Sequence, residues 1–407
     1  MEYKSKVSII QTDKLTETQK NYSQKDVKVV RAMLEETFDN LGGLSSMVKP
    51  GDKVIIKPNL VEVPYPKTGG SVLTDPRIIE ALCLIFTEYG CKVLVGEGKS
   101  VNLKHVNSGA KQAFENTGLA DAVRRGGADT IAWDEEEFVP VHDDRLNLWE
   151  SVNVPKSILD ADFFINVPKL KTHGQTEITC GIKSMQGVYR TDEKIMFHDE
   201  SFPWKMCDML RVAGPDLNIV DGLICGEGFG PIYTSPVEKN IIVGSRDVVA
   251  TDAVCGMVMG IEPWEVPITR LAAKEGFGCD NLDEIEIIGT ALKDVSSHFK
   301  RASIWNPIGY HDMIKVFAGG ASRFELAQVA ATVQRLEWDG NIDKIKEPIC
   351  IFIGDNPPVP MKKFKNVIIC GDAAIRDCKI DGIKIPGNPP LPSVQIVQAI
   401  EKMANLK

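Results

Sequence analysis

The chain has 407 residues, 43% of them hydrophobic and 25% charged, which is ordinary globular composition and enough length for two domains. A net charge of −9 disfavours a broad nucleic-acid surface, and no apolar run reaches the roughly 18 residues that a bilayer crossing needs. The opening "MEYKSKVSIIQTDK" lacks the apolar core of a signal peptide, so the expected location is cytoplasmic.

In chain order, "KVIIKPNL" (53–60) reads as a buried strand, followed by a helix in "TDPRIIEALCLIFTEYG". Thr74 or Asp75 caps that helix, Pro76 sits in its first turn and Gly90 marks its stop. "KVLVGEG" (92–98), "ADFFINVP" (161–168), "LNIVDGL" (217–223), "KNIIVGS" (239–245) and "EIEIIG" (284–289) continue the strand series. "RDVVATDAVCGMVMG" (246–260) reads as a helix packed on their sheet. Near residue 300, "SIWNPIGYHD" breaks the rhythm. Beyond it come a helix in "RFELAQVAATVQRL" (323–336), strands in "PICIFIGD" (348–355) and "KNVIICGDAA" (365–374), and a terminal helix in "PSVQIVQAIEKMANL". This alternation predicts an α/β fold: a mostly parallel sheet flanked by helices over 1–304, a smaller α/β domain over 305–407, and a cleft between them.

Ligands of open α/β sheets sit beyond the carboxyl ends of the strands. Polar segments stand there: "KPN" with Asn59, "GEGK" with Glu97 and Lys99, "PKLKTH" with Lys169, Lys171 and His173, and "DGLICGEGFG" with Asp221 and Glu227. On an extended segment Lys169, Lys171 and His173 project to one side, as either a solvated basic loop or a rim that grips an anion. His173 would then be a ligand or an acid/base group. Lys183, in "CGIKSMQG", lies among apolar residues near other cations, a setting that lowers an amine pKa and suits a base or covalent attachment point. His198 in "IMFHDE" is a third candidate. The glycine-rich turn after Asp221 could cradle a ligand with backbone N–H groups, but it is neither a Walker loop nor a dinucleotide fingerprint. "DEEE" (134–137) and "HDD" (142–144) read as solvated acidic segments, and His105, His298 and His311 as surface residues. The ten cysteines contain no C-x-x-C, so they fit buried free thiols and give an iron–sulfur cluster or zinc ribbon no support.

The phrases "VKPGDKVIIKPNLVE", "TDPRIIEALC", "DADFFINVPKLKTHGQTEITCGIKSMQGV", "IVDGLICGEGFGP" and "DVVATDAVCGMVMGIEP" resemble the domain of unknown function family 362 over residues 5–290. Its members are common in anaerobes, and some carry ferredoxin-type cysteine motifs that this chain lacks. More distantly, the chain is similar to the nickel-pincer lactate racemase family, which has a strand "K-V-x-I-x-x-P-D", a His-x9-Lys and a second histidine further on. His173 and Lys183 share the ten-residue separation, and His198 follows Lys183 by 15. That resemblance implies a two-domain fold, a pincer cofactor carried on Lys183 as a thioamide, nickel ligation by His198 and proton shuttling by His173. Asn59 stands where that family has Asp, and Lys99 where it has a histidine.

The expected function is an enzyme acting on a small carboxylate metabolite by racemisation, epimerisation or elimination. His173 would be the acid/base, Lys183 the cofactor anchor or catalytic amine, and His198 a metal ligand or second acid/base. Lys169, Lys171 and Lys99 would hold the anion, and Asn59, Thr176, Asp221 and Glu227 would complete the substrate site. The expected partners are the small anion and a second copy of the chain, with neither nucleic acid nor membrane. The rivals are a non-catalytic carrier of a metal cofactor or anion, and a redox-linked protein of anaerobic metabolism.

Overall fold

The computed structural model describes residues 4–15, 22–61, 69–100, 109–302, 311–387 and 393–406. They divide into two compact units, one holding the described residues up to 194 and 203–301, the other 195–202 and the described residues from 302 onward.

The strands of the first unit are β1 (Ser5–Gln11), β2 (Lys53–Pro58), β3 (Lys92–Glu97), β4 (Asp129–Ala132), β5 (Phe138–Val141), β6 (Val152–Pro155), β7 (Phe163–Val167), β8 (Lys169–His173), β9 (Glu177–Thr179), β10 (Leu217–Phe229), β11 (Tyr233–Ser245) and β12 (Ile285–Gly289). Its helices are α1 (Gln24–Asn40), α2 (Pro76–Glu88), α3 (Ala110–Thr117), α4 (Leu119–Arg125), α5 (Lys156–Leu159), α6 (Gly181–Ser184), α7 (Phe202–Ala213), α8 (Val248–Val258), α9 (Pro267–Lys274) and α10 (Leu292–Val295), with the first residue of α7 reckoned to the other unit. The main sheet runs β12-β1-β11-β10-β7-β2-β3-β4, with β8 and β9 attached through β10. Its centre, from β10 to β4, is parallel, while β11 lies antiparallel to both β1 and β10. Parallel strands covered on both faces read as continuous apolar runs, which is why "VII", "VLV" and "FFINV" were legible as strands.

Asp75 caps α2: its carboxylate accepts the Arg77 N–H, and Pro76 needs no partner in the first turn. The apolar faces of α1 and α2 bury Phe38 and Phe86 edge to face, with ring centroids 5.7 Å apart, and Phe86 also meets Phe163 of β7 at 6.5 Å. α8 is buried along almost its whole length, so it shows no polar face. All ten cysteines are free and buried.

The second unit holds a four-stranded parallel sheet in the order β13 (Ile314–Ala318), β14 (Ile349–Ile353), β15 (Asn366–Cys370), β16 (Ile383–Ile385). Its helices are α11 (Arg323–Trp338), α12 (Asp372–Asp377) and α13 (Ser393–Ala404). α11 opens on a capping box, in which Ser322 and Glu325 each accept the other's backbone N–H. Most of the segment "SIWNPIGYHD" lies outside the described residues, as does His105.

Among the described residues, no helix is long and apolar enough to cross a membrane. Replacing Phe86 with Ala removes a fully buried ring from the α1–α2–sheet contact, and unfolding of the protein in denaturant is expected to show a loss of about 3–5 kcal/mol.

Candidate functional site

The "PKLKTH" segment differs from the expected open rim. It is β8, a strand buried along its whole length, because it pairs with β10 on one side and β9 on the other. Lys169 lies opposite Asp221 in that pairing, and its Nζ sits 2.8 Å from the carboxylate with both side chains fully buried. Asp221 also accepts the backbone N–H groups of Asp75 and Leu223, and burial raises its carboxyl pKa despite the lysine. Lys171 Nζ donates to the carbonyls of Val72 and Pro231 at 2.9 and 3.0 Å. Burial, with the charges of Lys183 and Lys169, pushes this amine well below its ordinary pKa. These two lysines therefore hold β8 in the fold rather than presenting charge to solvent.

His173 is 3% exposed, and its Nδ1 accepts the N–H groups of Gln175 and Thr176 at 3.0 and 3.3 Å. Two donors on Nδ1 leave a neutral ring's proton on Nε2, which makes His173 a hydrogen-bond donor. Asn59 and Thr176 serve the backbone. The Asn59 backbone N–H donates to Thr74 Oγ1 and its side-chain amide donates to the Val72 carbonyl, while Thr176 Oγ1 donates to the Ile178 carbonyl. Glu227 is half-buried and accepts the Lys300 N–H at 2.8 Å. The glycine-rich stretch around it is hairpin, not ligand loop. It completes β10 against β11, and a Cβ at Gly226 would lie 2.9 Å from both the Lys171 Cβ and the Ser71 carbonyl oxygen.

The acidic run is similarly tied into the fold. Asp134 accepts the Ala110 N–H at the start of α3, and Glu136 receives both the N–H and the hydroxyl of Ser157. His298 is exposed, and His311 Nδ1 accepts the Met313 N–H.

A different set of amines gathers where β2, β3 and α6 meet. Lys57, the penultimate residue of β2, places Nζ 2.7 Å from Glu97 at the end of β3 and 3.3 Å from Ser184 Oγ of α6. Lys194 Nζ donates to the Lys99 carbonyl at 2.9 Å, and its own carbonyl is fixed by Gln186 and Lys205. Two glycines make the packing close enough. A Cβ at Gly98 would lie 2.7 Å from Lys194 Nζ, and one at Gly187 would collide with the Glu97 carboxylate.

Lys183, on α6, completes the group. It is half-buried, and among the described residues its amine has neither a hydrogen bond nor an ion pair. Burial and the Lys57 charge lower its pKa from 10.5 to about 8, against the opposing pull of Glu97. Burial likewise brings Lys194 to about 8, with Lys57 adding to the effect. α6 is held from below by Asp252 of α8, whose two carboxylate oxygens face the Ile182 N–H at 3.3 and 3.4 Å. Burial raises that carboxyl to about 7.

The arrangement provides three amines near the Glu97 carboxylate, one of them without a hydrogen bond or ion pair among the described residues, and two that exchange protons near pH 8. Sequence reasoning reached Lys183 but missed Lys57 and Lys194. Lys57 carries a signal, a lone cation inside the apolar run "KVIIKP", whereas Lys194 in "TDEKIMF" carries none.

The racemase resemblance implies a lysine-linked nickel group, which requires an imidazole to complete the coordination. His173 keeps its proton on Nε2 because its Nδ1 is occupied by backbone donors. His198 belongs to the second unit, where its ring lies 4.9 Å from Phe202 and 5.9 Å from Phe324. Among the described residues, no three His, Cys, Asp or Glu side chains gather as a metal site. Within the first unit His173 thus presents a proton rather than a lone pair, so the described residues there do not fit such a group.

Lys183 stores a measurable cost. Its amine is charged below pH 8 in the fold and below 10.5 when unfolded, so the folded state is penalised at pH 7 by at most about 3 kcal/mol. Stability gained from deprotonation appears as pH rises from 8 to 10.5. Lys183→Met is therefore expected to raise the melting temperature of ligand-free protein at pH 7 by a few degrees. The advantage should vanish near pH 10.5, as differential scanning calorimetry across pH would record.

The model of the family described as "Domain of unknown function (DUF362)" matches residues 54–256. A thylakoid-associated protein of Synechocystis sp. is 30% identical over 262 residues, covering 61% of this chain and 74% of that protein. Among solved structures, the lactate racemase apoprotein of Thermoanaerobacterium thermosaccharolyticum matches 92% of this chain and 89% of its own at 13% identity, with a TM-score of 0.39. A Thermotoga maritima protein matches 60% of this chain and 59% of its own, also at 13% identity, with a TM-score of 0.33. The extent of the Synechocystis match and the placement of the family model, which spans β2 to α8 and with them the whole lysine cluster, make this chain a member of the DUF362 family.

Proposed function

We propose that the chain is an enzyme that binds a small carboxylate-bearing metabolite at the Lys57–Glu97–Lys183–Lys194 cluster and moves a proton at the carbon beside the carboxylate. The observation that carries this reading is the unpartnered, half-buried amine of Lys183 among other cations. An excess of ammonium groups in a water-poor setting is relieved by an anion, and a carboxylate is the smallest one that also acidifies its neighbouring carbon.

In this reading Lys194 and the Glu97-paired Lys57 grip the carboxylate, and Lys99, partly open at the end of the same loop, adds a further charge. Lys183 in its neutral form takes the proton. A base whose pKa lies near working pH is both available and strong enough for such a transfer. His173, a fixed donor through Nε2, is the second proton-transfer group, which suits racemisation, epimerisation or elimination. Lys169, Lys171 and Asp221 are support for the strand that carries it.

The experiment is proton exchange into heavy water, followed by NMR, with a panel of 2-hydroxy and 2-oxo acids and native protein. Exchange at the carbon beside the carboxylate is expected, and Lys183→Met should slow it by roughly 10²–10⁴-fold, the usual worth of a general base. Calorimetric binding of the same acids should weaken as pH rises through about 8, because Lys183 and Lys194 lose their protons there rather than near 10.5. Binding without exchange would identify a carrier, and absence of both would remove the anion reading altogether.

A further inference from the structure

We propose that Lys183 is a nucleophile as well as a base, and that the substrate class is a 2-oxo acid whose carbonyl carbon it attacks to form an imine; this rests on the anion reading of the same cluster. The geometry sets Lys183 apart from the other buried amines. Lys57 is ion-paired to Glu97, Lys169 to Asp221, and Lys171 is held by two carbonyls. Lys194 donates to the Lys99 carbonyl and is 3% exposed. Lys183 alone of these is half-open and has no partner among the described residues.

An amine becomes nucleophilic when neighbouring cations and burial disfavour its ammonium form. At pH 7 about a tenth of Lys183 amines are neutral, against roughly one in three thousand for an ordinary lysine. The partners of the reaction also converge. A carboxylate held by Lys57 and Lys194 places an adjacent carbonyl within the reach of one further amine on α6, whose Ser184 already contacts Lys57. A 2-oxo acid is the smallest molecule with that pair of groups.

The step balances without an added oxidant or reductant. The Lys183 nitrogen lone pair forms the C–N bond, and the carbonyl π pair moves to oxygen, which takes a proton from the Lys194 ammonium. The nitrogen releases one of its own protons, which restores Lys194. The carbinolamine hydroxyl is then protonated from solvent and leaves as water, giving the protonated imine. That imine draws electrons from the adjacent carbon, which makes proton removal there easier than from the free acid.

The test uses the full chain with pyruvate, and separately with 2-oxoglutarate, in the presence of cyanoborohydride, followed by intact mass and peptide mapping. The expected result is one adduct, with the mass of the oxo acid less one oxygen, on the peptide that contains Lys183. At saturating oxo acid its yield should rise on the order of tenfold between pH 6.5 and 8, following the neutral amine. Lys183→Arg, checked for folding by its melting curve, should lose the adduct, with binding of the oxo acid by the wild-type protein measured alongside. Mapping of the wild-type protein decides the matter even if that variant fails to fold. Oxo acid binding without an adduct would overturn the imine and leave the anion reading intact. An adduct on Lys194 or spread over surface lysines would also overturn it, and neither binding nor adduct with either probe would sink both readings.

Discussion

One carboxylate, Glu97 at the end of β3, carries the counter-charge for the cations gathered where β2, β3 and α6 meet. Its contact with Lys57 joins two neighbouring parallel strands at their carboxyl ends, and its field opposes the depression of the Lys183 and Lys194 amines. Glu97 faces three amines, with Asp134 as a second carboxylate acting on Lys194, which leaves a positive remainder in a place with little water. That remainder is what the proposed anion binding rests on, and it also makes the ligand-free fold less stable than an apolar version of itself would be.

Around this core of charge the chain places rigid supports. α6 is only a single turn, too short to hold its shape alone, and it is pinned by the Asp252 carboxylate from α8. Lys205 and Gln186 fix the backbone at Lys194, and the Lys205 ammonium lies over the Tyr189 ring at 4.5 Å. Lys169 with Asp221 and Arg77 with Asp75 are two further buried ion pairs of the same unit, joined where the Asp75 N–H donates to Asp221.

Much of the fold was legible because the central strands are buried on both faces and spell apolar runs, and because α2 and α11 announce themselves with caps. β8 was not legible as a strand. "KLKTH" looks like a surface loop, and only the partners supplied by β10, Val72 and Pro231 let five polar-rich residues sit inside. The same cause shifted the expected site. Sequence reading gave Lys169 and Lys171 the anion because they were dense in the chain, whereas Lys57 and Lys194, 137 positions apart, meet only in the folded protein. The glycines of "DGLICGEGFG" likewise suggested a ligand cradle, when their role is to let strands approach one another without a Cβ between them.

Gly187 carries a further consequence. The volume that a side chain there would occupy is filled by the Glu97 carboxylate and the Lys57 Cε. The backbone after α6 therefore acts as a lid on the ion pair, flush against it and with no spacer. Were that lid to lift, water would reach Glu97 and Lys57, the effective dielectric would rise, and the Lys183 amine would drift back toward an ordinary lysine. The lowered pKa of Lys183, which its own burial causes first, thus also depends on how closely one glycine peptide seats on the Glu97–Lys57 pair.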